Sequence, residues 1–395
     1  MSPMLFTPMQ IRGLTLRNRV VVAPMCQYSA VDGMLNDWHL VHLSQFSMGG
    51  AGLVIVEATA VEKRGRITYG DSGLWSDDHI APHARVVQAA KTLGGAAVGL
   101  QIAHAGRKAS IQRPWEGDAA LTEKEFAKGE VPWEIVAPSP IPFAEGWLVP
   151  HELSAAEIAE VIDNWAAAAR RAVTAGYDLL EIHSAHGYLC HSFLSPITNQ
   201  RKDGYGGSRQ NRMRFALELT EAVRAAWPED KPLFYRISSV DGKEGGWAIE
   251  DTVALAKELK PRGVDVVDCS SGGLAGYGRN TLPRPTPGYQ VGFAAQVRRE
   301  AEIPTQAVGL IVEAAQAETI LRSGAADLVA LAREMLHDPY WAHHAAEKLN
   351  GDPDYRVWPV PYGHWLGNRA KGNFGKRVGD VDSEAARAAA KEAAE

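Results

Sequence analysis

The run E-I-H-S-A-H-G-Y-L at Glu181–Leu189 places two imidazoles, His183 and His186, three residues apart and a phenol, Tyr188, two residues further on. Three such groups can converge on one small polar atom, the imidazoles as hydrogen-bond donors or metal ligands and the phenol as a proton source. A zinc site would need at least one more His or carboxylate from another element. The alternative is that one histidine is only a satisfied structural residue and Tyr188 a rim tyrosine packed against Leu189. A further reactive group, Cys26, stands in A-P-M-C-Q-Y-S-A (Ala23–Ala30), with Tyr28 two residues on. A lone cysteine is most often a small inert hydrophobe, and no base partner that would make it a nucleophile is evident.

These residues share a position in the chain, because each follows a short run rich in Val, Ile, Leu and Ala. Eight such runs occur: Val20–Met25, Leu53–Ala58, Ala97–His104, Tyr177–His183, Leu233–Ser238, Val264–Ser270, Thr305–Leu310 and Leu328–Arg333. They have the composition of strands buried on both faces. Helical periodicity fills the gaps, at Trp38–Met48, Pro82–Thr92, Ala155–Ala175, Arg209–Ala226, Glu250–Leu259, Gln290–Glu300, Val312–Ser323 and Pro339–Leu349. Eight β–α units predict a closed (β/α)8 (TIM) barrel of the α/β class rather than a doubly wound sheet. Cys26, Gln101 with His104, His183, Arg236, Ser270–Gly273, Gly309 and Arg333 then end their strands on one rim, the face where barrels build active sites.

A minimal barrel takes roughly 250 residues, and this chain has 395. The spacing assigns much of the surplus to residues 106–153 after the third strand, where Pro114, Trp115, Pro132, Trp133, Pro138, Pro140, Pro142 and Trp147 punctuate too often for a long helix. This stretch is expected to cap the rim, with room for a hairpin, folded enough to bury its tryptophans, as lids and substrate walls are. One barrel domain is expected over residues 1–370, followed by a polar tail at 371–395, whose Asp380–Glu395 stretch is a frayed helix or disordered.

Composition removes several classes of function. With 41 Lys and Arg against 47 Asp and Glu, a net charge of −6, and no basic block, nothing favours nucleic acid or an anionic membrane. Cys26, Cys190 and Cys269 are too few and too far apart for a disulfide framework or a four-cysteine metal cluster, which suits a reducing cytoplasm. No apolar stretch approaches the length of a membrane span, and the amino terminus has no signal pattern. The fingerprints G-x-x-x-x-G-K-[ST], H-E-x-x-H, G-x-S-x-G and a strand-to-helix G-x-G-x-x-G are missing, which disfavours a Rossmann dehydrogenase.

Several longer motifs together resemble the old yellow enzyme family of flavin-dependent ene reductases. They are A-P-M-C-Q-Y-S-A, V-E-A-T-A-V (Val56–Val61), G-L-Q-I-A-H-A-G-R (Gly99–Arg107), H-S-A-H-G-Y-L with H-S-F-L-S-P-I-T-N-Q-R, and L-A-R-E-M-L (Leu331–Leu336). The similarity spans roughly residues 3–370 and is narrowest to the thermophilic-like branch with the xenobiotic reductases. Cys26 supports that branch, since the yeast-type one has threonine there. The resemblance implies a barrel with one noncovalent FMN at the carboxyl-end rim, reduced by NADPH, with NADH possible as donor. It implies reduction of the C=C bond of α,β-unsaturated carbonyl, nitro or maleimide-like compounds, by two half-reactions at one site.

Residue roles carry over with it. Arg236 would face the N1/C2 carbonyl region of the flavin, where reduction places negative charge, and Gln101 its pyrimidine edge. The backbone at Ala23, Pro24, Met25, Cys26 and Ala58 would line the ring, with His183 against it. Gly309, Ala332 and Arg333 would hold the phosphate, joined by Gly272 and Gly273. His183 and His186 would bind the substrate carbonyl, Tyr188 would protonate the α-carbon, Tyr28 would add a second phenol, and Cys26 would tune the flavin. Val308 stands where close relatives carry a large aromatic, so substrate preference does not transfer. Trp358–Arg369 resembles a segment that reaches the neighbouring subunit's active site, with Trp365 as the contacting residue, which implies a homodimer or dimer-based oligomer. No metal is implied.

Overall fold

The apolar runs become strands in a computed structural model that describes residues 3–274 and 280–371. In chain order the strands are β1 (Met9–Ile11), β2 (Leu14–Leu16), β3 (Val20–Val22), β4 (Leu53–Ala60), β5 (Ala97–Ala103), β6 (Val136–Ala137), β7 (His151–Glu152), β8 (Leu179–Ser184), β9 (Leu233–Ser238), β10 (Val266–Ser270), β11 (Thr305–Val308) and β12 (Leu328–Leu331). Strands β3, β4, β5 and β8 to β12 close a parallel barrel in sequence order. Closure pairs Val329 with Val20, Ala330 with Val21 and Leu331 with Val22. The first and last parts of the chain are tied again where the Met4 and Leu5 N–H groups donate to the Glu318 carboxylate, each at 2.8 Å.

The helices are α1 (Asp37–Met48), α2 (Ile80–Gly94), α3 (Glu123–Phe126), α4 (Ala155–Ala175), α5 (Leu189–Leu194), α6 (Arg209–Ala226), α7 (Ile249–Leu259), α8 (Val291–Ala301), α9 (Ala314–Arg322), α10 (Arg333–His337), α11 (Trp341–Lys348) and α12 (Val360–Lys371). Helix α4 shows why the long ones form. Ser154 and Glu157 make a capping box, Gly176 ends the helix in the left-handed region, and Ile158, Val161, Trp165, Ala168, Ala169 and Ala172 are buried on one stripe. No helix of the described residues is long and apolar enough to cross a membrane.

Strand alternation divides the core in two. Val54, Val56, Leu180, Ile182, Tyr235 and Val267 point outward into the helices, while Val21, Leu53, Leu179, Phe234, Val266 and Leu328 fill the barrel. The antiparallel β1–β2 hairpin adds Ile11 and Leu16 to that inner cluster, so it plugs the amino end. Nearer the carboxyl rim the filling turns polar. Gln101, Glu181, Arg236, Asp268 and Gln306 are buried there, with Gln101 opposite Glu181 and Asp268 between Arg236 and Gln306 in the ladders. Barrel interiors are ordinarily filled by Val, Ile and Leu.

Some expected boundaries move. The first strand ends at Val22 rather than Met25, because Pro24 has no N–H for the ladder. The seventh ends at Val308, where Gly309 turns with φ +121°, and the eighth at Leu331. Helices α3, α5, α10 and α12 fall outside the expected set. Within the excursion β6 and β7 pair in parallel, and its antiparallel pairing is an isolated bridge between Ile111 and Ala120. The excursion does not bury its tryptophans, since Trp115 is 66% exposed and Trp133 and Trp147 are half-buried. Its small core is Ile67, Ala105, Ala109, Ile111 and Ile135. The predicted tail at 371–395 lies outside the described residues beyond Lys371.

Candidate active site

Strand β8 delivers His183 to the rim, and the turn after it brings the other two groups back over it. The Ala185 N–H donates to His183 Nδ1 at 3.2 Å. Burial, with Arg236 next, holds the His183 pKa well below the usual histidine range. The ring is therefore neutral, and its remaining proton sits on Nε2 as a donor. His186, at φ +60°, has its ring perpendicular to His183 with centroids 5.2 Å apart. Its Nε2 lies 2.7 Å from Ser270 Oγ, and its backbone N–H donates to Ser238 Oγ at 2.9 Å. Ser238 Oγ in turn donates to the Gly272 carbonyl at 2.7 Å. A Cβ on Gly273, whose φ is +92°, would lie 2.2 Å from His186 Cα, so this approach requires glycine. Tyr188 stands perpendicular to His183 at 5.0 Å. Its phenol pKa is pushed up by burial first, then by Cys26, Asp71 and Asp118.

Cys26, Tyr28 and Tyr188 pack on the excursion's apolar cluster together with Trp133 and Trp147. The Tyr28 hydroxyl bonds the Cys26 thiol. Burial, then Glu57 and Asp71, drive the thiol pKa well up, which keeps it protonated. A bulge in β4 between Val56 and Thr59 carries Ala58, whose backbone also bonds Cys26. Ala23, Pro24 and Met25 form the loop leading to Cys26, just past β3.

The other side of the rim is a cavity of about 280 Å³ lined by Arg236, Ser270, Val308, Gly309, Ala332 and Arg333, among others. Arg236 Nε lies 3.2 Å from Asp268 Oδ2 without a hydrogen bond to it. Gln101 Nε2 donates to Glu181 Oε1 at 2.8 Å. Arg333 has no carboxylate within 4.0 Å among the described residues.

The structure thus brings Cys26, Tyr28, His183, His186 and Tyr188 to one side of the rim, and Arg236, Gly309, Ala332 and Arg333 to the other. Trp365 is elsewhere: it lies on α12, is 70% exposed, and its ring meets only that of His364 among the described aromatic contacts. His104 turns away into a buried bond with Glu62 at 2.7 Å. Among the described residues no group of three His, Cys, Asp or Glu is placed to hold a metal ion.

Sequence reasoning passed over Lys108. Its ammonium donates to the His186 carbonyl at 3.0 Å and lies 5.0 Å from the Tyr188 ring and 4.7 Å from that of Phe143. Burial lowers its pKa to about 8. The buried Glu181, Asp268 and Gln306 were also missed, although each stands two residues before a rim position and so points into the barrel.

Comparison with known proteins follows the same lines. The model of the NADH:flavin oxidoreductase / NADH oxidase family matches residues 4–352. The NADPH dehydrogenase of Geobacillus sp. (strain WCH70) is 47% identical over 351 residues, covering 88% of this chain and 95% of that protein. That of Bacillus subtilis is 45% identical over 352 residues, 89% and 96% of the two chains. Among solved structures, morphinone reductase in complex with tetrahydroNAD superposes with a TM-score of 0.70 at 28% identity, over 88% of this chain and 91% of the other. The old yellow enzyme homologue from Zymomonas mobilis gives 0.71 at 25%, over 88% and 93%.

The residues suit the FMN that this family implies. Arg236 is a buried guanidinium with an unbonded Nε beside the cavity, Gln101 keeps its amide oxygen as an acceptor, and Arg333 is a forked cation without an acidic partner among the described residues. A Cβ on Gly309 would lie 2.8 Å from Gln290 Nε2 and 3.0 Å from the Tyr289 ring, so the cavity wall there admits only bare backbone.

Proposed function

The chain belongs to the NADH:flavin oxidoreductase / NADH oxidase family, within the old yellow enzymes, and on that premise we propose that it is an FMN-dependent NADPH dehydrogenase that reduces activated C=C bonds. FMN, when bound, supplies a two-electron hydride acceptor and donor. The substrate class is α,β-unsaturated carbonyl, nitro or maleimide-like compounds. The observation that carries this reading is the neutral His183, whose Nδ1 is occupied by the Ala185 N–H and whose Nε2–H remains to donate.

His183 and His186 would hold the substrate's carbonyl oxygen. When Ser270 donates to His186 Nε2, the proton of that ring sits on Nδ1 and is available to the same oxygen. Such donors gain most as negative charge grows on the oxygen during β-carbon attack, which is differential stabilisation. Tyr188 would deliver its phenolic proton to the α-carbon and recover one from water. Cys26, kept as a thiol, and Tyr28 would line the same side of the rim, with Cys26 tuning the cofactor rather than attacking substrate. Arg236 would provide fixed positive charge toward the pyrimidine end with Gln101, the backbone at Ala23–Cys26 and Ala58 would line the ring, and Gly272, Gly273, Gly309, Ala332 and Arg333 would receive the phosphate, all without a covalent bond.

Helix α12 buries none of its residues and exposes Trp365 and Tyr362. An apolar helix face of this kind suits a homodimer in which Trp365 reaches the other subunit's site. One FMN-binding unit over residues 1–370, working in the cytoplasm, completes the reading.

An absorbance spectrum followed by anaerobic NADPH titration tests it. The purified protein should be yellow, bleach with NADPH, and regain its colour on adding cyclohexenone, with parallel initial-rate lines from ping-pong turnover. A colourless protein, or a bleached one that cyclohexenone leaves bleached, refutes it.

A further inference from the structure

The barrel holds more charge under the rim than the chemistry above uses. Glu181 on β8 and Asp268 on β10 are fully buried and flank β9, which carries Arg236. Glu181 Oε2, both Asp268 oxygens, Arg236 Nε and both polar atoms of the Gln306 amide lack hydrogen-bond partners. Beneath this layer lie the buried apolar side chains of Leu179, Phe234 and Val266. Among the described residues the groups facing the pair are Arg236 on β9, the one cation, the neutral amides Gln101 on β5 and Gln306 on β11, and His183, the next inward residue on β8, which is uncharged.

Two buried carboxyls beside one guanidinium cannot both ionise cheaply, because the second charge has neither a cation nor solvent. A proton on one of them removes that charge and also turns an orphaned oxygen into a donor for its neighbour. We propose that Glu181 and Asp268 hold one exchangeable proton between them beneath Arg236, and that its binding is linked to the redox state of the flavin above. The Glu181 carboxyl pKa is pushed up to about 8, by burial first and Asp268 second, and that of Asp268 is raised as well, again mainly by burial.

The linkage follows from charge. Hydride arriving at the cofactor brings two electrons and one hydrogen and adds a negative charge on the Arg236 side of the cavity. That charge raises the pair's affinity for its proton. In the pH window where the oxidised enzyme has lost the proton and the reduced enzyme keeps it, hydride arrival draws one proton from water onto the pair. Hydride departure to the substrate returns that proton to water. The overall reaction is unchanged, since the proton given to the α-carbon comes separately from Tyr188.

This inference rests on FMN binding above Arg236. Spectroelectrochemical titration of the holoenzyme from pH 6 to 10 tests it. One more proton per two electrons steepens the midpoint potential by about 30 mV per pH unit, a tenfold change per unit converted for a two-electron couple. The wild type is expected to show the steeper slope on the alkaline side of neutrality, and Glu181→Gln to lack it. Should Glu181→Gln fail to fold, Asp268→Asn serves, and the reduced-minus-oxidised infrared spectrum of the wild type should show a carboxylic C=O band at alkaline pH. The same slope in wild type and variant, or no such band, overturns the proposal. A preparation that binds no flavin overturns the functional reading itself, and is recognised by its colour before any potential is measured.

Discussion

Replacing Tyr188 with Phe removes one oxygen and separates the two half-reactions. The ring keeps its place on the excursion's apolar cluster, perpendicular to His183 and with the Lys108 ammonium 5.0 Å from its centre. The hydroxyl has no hydrogen-bond partner among the described residues, so its loss strands no buried group, and stability should hold within about 0.5 kcal/mol. General acids contribute about 10²–10⁴ in rate. Here burial and the nearby Cys26, Asp71 and Asp118 raise the phenol pKa and make it a weak acid, although the Lys108 ammonium lies over its ring face. The lower end of the range is therefore expected, about 100-fold, or about 2.7 kcal/mol. Anaerobic stopped-flow measures each half separately through the flavin absorbance. Reduction by NADPH should stay near the wild-type rate, and reoxidation by cyclohexenone should slow about 100-fold. Equal losses in both halves, or an unaltered reoxidation, would refute the assignment of Tyr188 as proton donor.

Three other perturbations probe different layers. Gly273→Ala places a Cβ against the His186 backbone at a φ of +92°, and urea unfolding should show a loss of at least about 2 kcal/mol; an unchanged midpoint would mean the loop yields freely. Arg236→Met leaves two carboxyls without their cation, so the apoprotein should lose about 3–5 kcal/mol and FMN, followed by fluorescence quenching, should bind at least about tenfold more weakly. His83, His42 and His343 have pKa values pushed down to about 3, 4 and 4 by burial, below the 6.5 of the unfolded chain. The unfolded chain thus gains protons first as pH falls below about 6.5, costing about 1.4 kcal/mol per pH unit for each histidine. That loss is absent above pH 6.5, and a urea midpoint equal at pH 7 and pH 5 would contradict it.

The barrel was legible because buried parallel strands must be apolar on both faces, and eight such runs leave little choice of architecture. His183, His186 and Tyr188 were legible because they crowd into six residues. Less so were features that exist only across strands. The proton position on His183 depends on the Ala185 N–H, and the need for glycine at 273 depends on His186, which lies 87 positions earlier. Glu181 stood in a quoted motif, yet its partner Asp268 belongs to another strand, and only the closed barrel sets them on either side of Arg236. The excursion misled in the opposite way. Its tryptophans suggested a buried core, but the stretch is anchored by Ile111 and Ile135, leaving Trp115 in the open beside Tyr28. Helix α12 buries none of its residues among the described chain, so no buried stripe marked it in the sequence.

Barrel closure also sets a schedule for synthesis. Strand β3, made within the first 22 residues, waits for β12, which ends at residue 331, and the Met4 and Leu5 amides wait for Glu318. At ~5–20 residues per second, translation leaves the amino-terminal edge without its neighbour for roughly a quarter of a minute to a minute. Val20–Val22 is an apolar strand with open backbone groups throughout that time, a natural target for a chaperone on the ribosome. Growth conditions that slow elongation would lengthen this exposure, and the yield of native enzyme in a host cell would then depend on translation speed as well as on flavin supply.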